Sequence, residues 1–430
     1  MGRKIHWKRR YTVLIVLALV EAMAYMDRKA IFVVLPFIAE DFKIGPVAMG
    51  MVSSAFSAAY VLAQIPGGML NDRLGIRKVA SFAIFSWSVF LILTGAAINH
   101  LYLLLARFGF GAGHGVYFPG SLNKTLAVWV PKHQRATATA AVFAFANVGK
   151  AIAAAVVLSI ATMWNWRVAF FVLALPCIVL AALFWRFVPN SPDDADELSA
   201  VEQAELEDNE AESASVPTER MTLREVIRQP NILKWFSILF TFEIIAWAFP
   251  TWLPTYLLKA RGFSTFDMGL TITLSSLGGA LGAMMWGWLS DRFFSKRRHL
   301  LILGAQLLAS AGAAAMLFAT SHVAIIAWAT VASLAIAAFF PAFWAMPMEA
   351  ISKTSMGLSS GVINIGGQTA AIIAPTAVGL ALQLSNNDYN WGFGLQIGAT
   401  ILSFCIAILS FGRREQRTVE PASVSPRTLI

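Results

Sequence analysis

Residues 68–78 read GMLNDRLGIRK, a charged turn flanked by glycines that joins two long apolar runs. Residues 287–298 read GWLSDRFFSKRR and repeat the pattern G-x-x-x-D-R followed by basic residues. Each copy joins the second apolar run of its half to the third, which indicates an internal duplication. Glycines permit a tight turn with close backbone approach, and the aspartate can face basic residues or a helix N-terminus.

We expect this turn to latch two helix bundles together at one face of the protein. The residues of this predicted gate are Gly68, Asp72, Arg73, Gly75, Arg77, Asp291 and Arg292. A basic loop that only sets topology is the alternative. It explains the basic residues of the turn but not the placement of its glycines and aspartate.

The composition is that of a polytopic membrane protein. Of the 430 residues, 57% are hydrophobic and 13% are charged, whereas soluble proteins average roughly 25% charged residues. The formal charge of +9 would suggest a nucleic-acid partner in a soluble protein, but here the basic residues lie in alternate loops and predict topology. Cys177 and Cys405 both lie in apolar runs and indicate neither a disulfide framework nor a metal site.

Apolar runs of about 20 residues predict membrane-spanning helices. They lie near 11–36, 47–69, 79–98, 101–129, 136–160 and 167–188, and again near 232–258, 267–289, 299–319, 322–346, 356–380 and 390–411. The fold class is therefore an all-α integral membrane protein with twelve spans in two six-helix bundles, residues 1–189 and 231–412. An acid-rich cytoplasmic linker, 190–230, joins them, and 413–430 forms a cytoplasmic tail. Alternation of basic and basic-poor loops predicts that both termini are cytoplasmic.

Ionisable residues inside these spans are the most informative, because charge at that depth is costly and usually functional. They are Glu21, Asp27 and Arg28 in the first span, Arg107, His114 and Lys124 in the fourth, Lys150 in the fifth and Glu243 in the seventh. Asp27 and Arg28 either form a salt bridge that only stabilises the fold or take a direct part in the function of the protein. Glu21 lies on nearly the same helical face as Arg28 and is its candidate ion partner.

Arg107 and His114 also share one face of their helix, two turns apart. The alternating glycines from 109 to 115 keep this helix slim, for close packing against a neighbour or a ligand. Lys150 calls for a carboxylate of the protein or an anionic substrate, whereas Lys124 is expected near the cytoplasmic end.

In the second half, Asn364 and Gln368 are one turn apart, and Trp344 precedes the Met346-Pro347 break. These side chains could hydrogen-bond to a small polar ligand and enclose it. Singly, each residue type is more typical of helix packing. A duplicated pair of six-span halves indicates a substrate site near the membrane midplane, between the bundles.

The turn at 68–78 resembles the cytoplasmic signature of the major facilitator superfamily. Further blocks resemble its anion:cation symporter branch, which holds permeases for hexuronates, galactonate, glucarate, tartrate and phthalate. The blocks are Tyr25-Met26-Asp27-Arg28, Ser54-Ala55-Phe56 through Tyr60 to Gln64-Ile65-Pro66-Gly67-Gly68, Arg107 with Phe118-Pro119, Trp129-Val130-Pro131 with Arg135-Ala136, Phe343-Trp344-Ala345-Met346-Pro347, and Gly361-Val362-Ile363-Asn364. The resemblance implies the major facilitator fold.

When the family's functional residues are matched position by position, the resemblance implies that Asp27 binds the coupled proton. It also implies that Arg28 and Arg107 serve the organic anion or its coupling network. It also implies that Tyr25, Tyr60 and Asn364 line the site. Together with the residues singled out above, the predicted substrate-binding set is Tyr25, Arg28, Tyr60, Arg107, Lys150, Trp344, Asn364 and Gln368.

One position departs from the family pattern. Seven residues after the arginine of the fourth span the family usually has a glutamate, and this chain has His114. A bound carboxylate would favour a protonated imidazole, so anion binding and protonation should support each other. We therefore predict that Asp27 and His114 form the proton site. The alternative is a neutral histidine hydrogen-bonded between helices.

These features predict a secondary active transporter that takes up a small organic anion, a carboxylate or sugar acid, with protons by alternating access. An excess of intramembrane cations over acids in the first half favours this over the alternative, an exporter of drugs or metabolites. The sequence contains no nucleophile and base arrangement, metal-ligand spacing or G-x-x-x-x-G-K-[ST] loop, so we expect neither an enzyme nor ATP coupling.

The expected partners are the organic anion, protons and the lipid bilayer, with no nucleic acid. No cofactor or metal is predicted, and the proton gradient is the expected driving force, with sodium as a second candidate. We expect a monomer that spans a bacterial inner membrane several times, with both termini in the cytoplasm.

Overall fold

The computed structural model describes residues 9–131, 134–194, 223–228, 230–351 and 356–417. Within these ranges the chain is helical and contains no strand. The helices are α1 (Arg9–Phe42), α2 (Pro46–Leu74), α3 (Ile76–Gly95), α4 (His100–Val116), α5 (Leu122–Trp129), α6 (Arg135–Met163), α7 (Trp166–Phe187), α8 (Leu223–Ile227), α9 (Pro230–Thr255), α10 (Thr265–Arg292), α11 (Arg298–Phe318), α12 (His322–Ala350), α13 (Met356–Leu384) and α14 (Tyr389–Arg417). π-Helical turns, Tyr117–Ser121 and Tyr256–Ala260, join α4 to α5 and extend α9.

The predicted fold class is confirmed. Each predicted span coincides with one long helix, except that α4, the π-helical turn and α5 together form the fourth. Ten of the described helices are long and apolar enough to cross a membrane by length and composition alone. Outside that set are α1, whose middle carries Asp27-Arg28-Lys29, and α4, which is only 17 residues long. The two spans that least resemble lipid-facing helices therefore carry half of the predicted substrate-binding and proton-coupling residues.

The duplication is visible in how the helices pack. In the first bundle α1 packs against α6, α2 against α4 and α3 against α7. In the second bundle the corresponding pairs are α9 with α13, α10 with α12 and α11 with α14. The two halves contact each other through α2 with α13, α6 with α10 and α1 with α9. These helices surround the boundary between the bundles.

The bundles are fastened together at the end of the spans that carries the loop 43–45. There the hydroxyl oxygens of Ser54 and Thr376 are 2.8 Å apart and form a hydrogen bond. Gly50 lies so close to α13 that a Cβ atom would be 2.4 Å from the carbonyl oxygen of Pro375, a contact that only glycine permits. We call this the closed end, and the positive-inside pattern predicts that it is the outer one.

The signature turn lies at the opposite end. As expected, its aspartate faces a base, because Lys124 donates to Asp72 at 2.8 Å. Gly75 has a φ of +84°, and a Cβ atom would lie 2.5 Å from the Asn190 side chain, so glycine is required there. The Arg77 backbone N–H donates to Asn190 at 2.9 Å. In this state the described contacts of the turn fasten helices of the first bundle to one another, and a latch between the bundles remains a prediction.

The glycine that begins the signature turn and the second copy of the turn make different contacts. A Cβ atom on Gly68 would meet nothing within 4 Å, so the close approach expected there is not needed in this state. The neighbouring Gly67 is the tight position, because its Cβ would lie 2.5 Å from the Cα of Val116. In the second copy, Asp291 pairs with Arg298 at 3.1 Å.

The linker and termini are described only in part. Residues 195–222 of the predicted linker, and the terminal segments 1–8 and 418–430, lie outside the described residues. The described parts of the linker include a short 3₁₀ turn, Pro192–Asp194, and α8. The last span continues to Arg417, beyond the limit of 412 expected from hydropathy.

The topology can be tested with reporter fusions. A reporter fused after Lys296 should report the cytoplasm, because the basic cluster of the second signature turn holds that loop inside. One fused after Asn387, in the basic-poor loop before α14, should report the outside. Alkaline phosphatase and green fluorescent protein fusions at both positions measure this, since each is active on only one side. A reversed signal at either position would contradict the predicted orientation.

Candidate functional site

Glycines of α4 bring its ionisable residues against α2. A Cβ atom on Gly111 would lie 2.2 Å from the carbonyl oxygen of Phe56, and one on Gly115 would lie 2.2 Å from that of Tyr60. The glycines therefore serve helix packing, one of the two explanations open at the sequence level. The close approach also brings the aromatic side chains of α2 to the face that carries Arg107 and His114.

His114 is fully buried and lies between aromatic rings and an arginine. Its ring stacks on Trp87 with centroids 4.3 Å apart and planes at 16°. Arg28 Nε donates to His114 Nδ1 at 3.2 Å. A ring nitrogen that accepts a hydrogen bond carries no proton, so the imidazole is neutral with its proton on Nε2. That Nε2 is buried and has no hydrogen-bond partner among the described residues.

Arg28 is surrounded by aromatic faces. Its guanidinium carbon lies 5.2 Å from the ring centroid of Tyr25, 4.9 Å from that of Tyr60 and 5.7 Å from that of Phe56. Such cation–π contacts stabilise a charge without neutralising it. None of the ion pairs formed by the described residues includes Arg28. Its candidate partners Glu21 and Asp27 lie within electrostatic reach of Arg28 but form no ion pair with it in this state.

Arg107 is 1% exposed, and its guanidinium carbon lies 4.4 Å from the Phe110 ring centroid. Its Nε and Nη1 have no hydrogen-bond partner in the part of the chain that the structure describes. Asp27 is fully buried and lies within electrostatic reach of Arg107. It accepts a hydrogen bond from Cys177 Sγ on Oδ2 at 3.1 Å, while Oδ1 is unpartnered within the described ranges. A buried charged group whose hydrogen-bond donors lack acceptors is costly. The Arg107 guanidinium therefore requires an anionic acceptor.

Two lysines extend this cluster. Lys150 Nζ lies 4.1 Å from the Tyr25 ring centroid and donates to Asn147 Oδ1 at 3.1 Å. Lys29, half-buried beside Arg28, lies 5.2 Å from the Phe32 ring centroid. Sequence reasoning missed Lys29, although the signal was available in the uninterrupted run Asp27-Arg28-Lys29. We refer to Tyr25, Asp27, Arg28, Lys29, Tyr60, Arg107, His114 and Lys150 as the cationic cluster.

The predicted residues of the second bundle are separate from the cationic cluster. Trp344 is half-buried and packs edge-on against Phe343, with centroids 5.5 Å apart. Asn364 is also half-buried, and the Oε1 atom of Gln368 is buried without a hydrogen-bond partner in the described ranges. No described hydrogen bond joins these side chains to the cationic cluster, so any ligand that contacts both must bridge the bundles.

The cationic cluster and the predicted residues of the second bundle can be compared by their depth along the helices. The Ser54–Thr376 hydrogen bond at the closed end fixes a common level on α2 and α13. At 1.5 Å per residue, Tyr60 lies about 9 Å from that level and Gln368 about 12 Å, both away from the closed end. The cationic cluster and Gln368 therefore lie at similar depth on opposite sides of the boundary between the bundles. Asn364 lies about one turn further.

Comparison with known proteins agrees with this architecture. The family model described as Major Facilitator Superfamily matches residues 17–375 and again 267–428. The probable sulfoacetate transporter SauU of Cupriavidus necator is 30% identical over 382 residues, which cover 87% of this chain and 88% of that protein. The hexuronate transporter of Bacillus subtilis is 25% identical over 94% of this chain and 95% of its own length. The probable galactarate/D-glucarate transporter GarP of Escherichia coli is 28% identical over 86% of this chain and 87% of its own.

Among solved structures, a bacterial homologue of the human lysosomal transporter Spinster, in an inward-facing and occupied conformation, has a TM-score of 0.77. It is 17% identical, and the match covers 96% of this chain and 99% of that one. The family and the named relatives are transporters, not enzymes. The chain belongs to the major facilitator superfamily, and its relatives match the anion:cation symporter branch that its sequence resembles.

Proposed function

We propose that this protein is a secondary transporter that takes up a small organic anion, a carboxylate or sugar acid, together with protons by alternating access. The observation that carries the proposal is the unpaired charge of the cationic cluster. Arg107 is buried with two unpartnered nitrogens within the described ranges, and Arg28 is held by aromatic faces and a neutral imidazole. An organic acid would supply the acceptor oxygens that these guanidinium groups lack.

The named relatives support this class of substrate. Their names specify sulfoacetate, hexuronate, and galactarate or glucarate, which are all small acids. An exporter of drugs or metabolites would be expected to place acids, rather than fixed cations, in an apolar cavity. The cationic cluster contains four basic residues, and two buried acids accompany them, Asp27 within the cluster and Glu21 within electrostatic reach of Arg28 and Lys150. The excess of basic residues favours the anion.

Proton coupling is assigned to Asp27 and His114. Asp27 is within electrostatic reach of Arg28 and Arg107, and His114 accepts a hydrogen bond from Arg28. A proton on His114 Nδ1 would remove that acceptor and place two donors face to face, so Arg28 would have to turn away. Arg28 would then be free to bind the anion. Protonation and anion binding would thus favour the same arrangement.

Alternating access would proceed by rocking of the bundles about their boundary. The closed end, held by Ser54 with Thr376 and by Gly50 against α13, would open to receive substrate. The signature turns would then meet at the other end. We propose a monomer in a bacterial inner membrane with both termini cytoplasmic, which agrees with the alternation of basic loops.

A pH-jump uptake assay tests the proposed function. Purified protein in liposomes at neutral internal pH is diluted into acidic or neutral buffer with radiolabelled galactonate, galactarate, glucuronate, sulfoacetate or isethionate. Uptake of at least one acid should be faster when the outside is acidic, because protons then enter with the anion. A matched sodium gradient separates the two coupling ions. Absence of uptake of every acid, or exclusive efflux, would contradict the proposal.

A further inference from the structure

Lys150 lies beside the arginines of the cationic cluster but forms no ion pair of its own. Its Nζ donates one described hydrogen bond, to Asn147 Oδ1 at 3.1 Å, although an ammonium group carries three donors. None of the ion pairs among the described residues includes it. Glu21 lies within its electrostatic reach without forming such a pair. A half-buried ammonium group in a membrane span requires an anion, and donors remain on Lys150 to bind one.

Two aromatic rings connect Lys150 with the arginines. The guanidinium carbon of Arg28 lies 5.2 Å from the Tyr25 ring centroid, and Lys150 Nζ lies 4.1 Å from the same centroid. The guanidinium carbons of Arg28 and Arg107 lie 5.7 Å and 5.3 Å from the Phe56 ring centroid. Arg28 therefore shares one ring with each of the other two cations. The cations of each pair are no further apart than the sum of their distances to the shared ring.

The lysine lies on the part of α6 that faces the second bundle. Leu158 is eight residues further along α6 and belongs to the same broad stripe of the helix. It reaches α10, because a Cβ atom on Gly269 would lie 2.4 Å from Leu158 Cδ2. Tyr25, Arg28 and Lys150 are all half-buried, so they are not sealed inside the first bundle. A ligand at Lys150 would therefore lie at the boundary between the bundles.

The charges of this region match a substrate with two negative charges. The basic residues of the cationic cluster outnumber the two buried acids, Asp27 and Glu21, by two. Lys29 lies within electrostatic reach of Lys150 and Arg28, which adds to the positive potential beside Tyr25. Uncompensated charge at this depth is costly. A dianion would balance the excess, whereas a monoanion would leave one positive charge, and protonation of either acid would increase the excess further.

We propose that the site binds two acid groups of one substrate, the first at Arg28 and Arg107 and the second at Lys150, so that a small diacid is preferred to the matching monoacid. The inference rests on the proposed function, because it requires that the guanidinium groups bind the first acid group. An ammonium group donates charge-assisted hydrogen bonds to a carboxylate or sulfonate. The Arg28 guanidinium carries five N–H groups, of which Nε–H donates to His114, so it can contact either acid group.

Two matched pairs of acids test for the second acid group. Galactonate and galactarate differ only at the sixth carbon, which carries a hydroxyl in the first and a carboxylate in the second. Isethionate and sulfoacetate present the same contrast on a short sulfonate. In liposomes, at concentrations well below saturation, wild type should take up the diacid of a transported pair faster. The expected ratio is about tenfold or more, as for one further hydrogen bond between charged groups.

Variants of Lys150 test the cause of the preference. In Lys150→Met the ratio of diacid to monoacid uptake should fall towards one, because the side chain keeps its length but loses its charge. Lys150→Arg keeps the charge and should keep the direction of the preference. Arg107→Ala should instead lower uptake of both members of a pair. Lys296→Met is the matched control and should keep the wild-type ratio, because Lys296 is exposed in the turn between α10 and α11.

The outcomes separate this inference from the proposed function. If neither pair nor glucuronate is transported, the proposed function fails. If wild type takes up the monoacid of a pair faster, if uptake is confined to monoacids, or if Lys150→Met keeps the wild-type ratio, only the role of Lys150 is overturned. Should Lys150→Met fail to reach the membrane, Lys150→Gln replaces it, because the amide can keep the hydrogen bond to Asn147 without the charge. A wild-type preference for the monoacid overturns the inference whatever the variants do.

Discussion

Replacement of Arg107 by alanine is expected to abolish uptake while the protein still reaches the membrane. Arg107 is buried, and its guanidinium lies over the rings of Phe56 and Phe110 without a described ion pair. Loss of one partner of a buried, hydrogen-bonded charge pair costs about 2–5 kcal/mol, which is at least about 30-fold in affinity. Arg107 forms no described ion pair, and Asp27, which lies within its electrostatic reach, keeps its hydrogen bond from Cys177, so the fold should tolerate the change.

Two further variants sharpen the result for Arg107. Arg107→Lys keeps the charge but loses the planar fork, so it should bind the anion more weakly than wild type and better than alanine. Arg186→Ala is the matched control, because Arg186 is exposed at the end of α7, remote from the cluster. Uptake and membrane abundance are measured together for each variant. Near-normal uptake by Arg107→Ala would remove this residue from the mechanism.

His114→Gln is expected to flatten the pH dependence of anion affinity. In wild type, affinity should rise as pH falls from about 8 to 5, the range in which an imidazole can titrate. The reason is linkage, because a proton on Nδ1 breaks the hydrogen bond from Arg28 and frees that arginine for the anion. Glutamine can accept the same hydrogen bond through its oxygen but does not titrate. Its affinity at neutral pH should therefore remain close to that of wild type.

Substrate binding measured by calorimetry at several pH values tests this for His114. His100→Gln is the matched control, since His100 lies on the same helix at the closed end, where its Nε2 is 3.0 Å from the carbonyl oxygen of Ala48. Asp27→Asn measures how much of the pH dependence of affinity comes from Asp27, the other proposed proton site. Identical pH profiles in wild type and His114→Gln would leave His114 as a packing residue, and Asp27 alone would then carry the coupling.

The number of helices followed from sequence because membrane spans obey a simple rule. A lipid-facing helix must be apolar for about 20 residues, and the repeated turn at 68–78 and 287–298 sets the period of the duplication. Helix ends followed less well. Hydropathy ends the first span near residue 36, whereas α1 continues to Phe42. Apolarity reports where the lipid core stops, while backbone hydrogen bonds continue through the polar region beyond it.

The members of the site were largely predictable, but their partners were not. Charges within an apolar run are visible in the sequence, and Arg28, Arg107 and His114 do meet in one cluster. The pairing of Arg28 with His114 was not visible, because the two are far apart in sequence and on different helices. Sequence reasoning considered Asp27 and Glu21 as its ion partners. Neighbours in sequence diverge by about 100° on a helix, so adjacency says little about contact.

The sequence by itself determined that the chain crosses the membrane, that it is duplicated and which buried charges need an explanation. Each of these follows from the cost of polar groups in hydrocarbon, which acts on every residue separately. Only the tertiary structure decided that Arg28 contacts His114, that Cys177 donates to Asp27 and that Glu243 lies over Gly367. Those contacts depend on helix rotation and crossing, which are set by side-chain packing between helices rather than by the composition of any one of them.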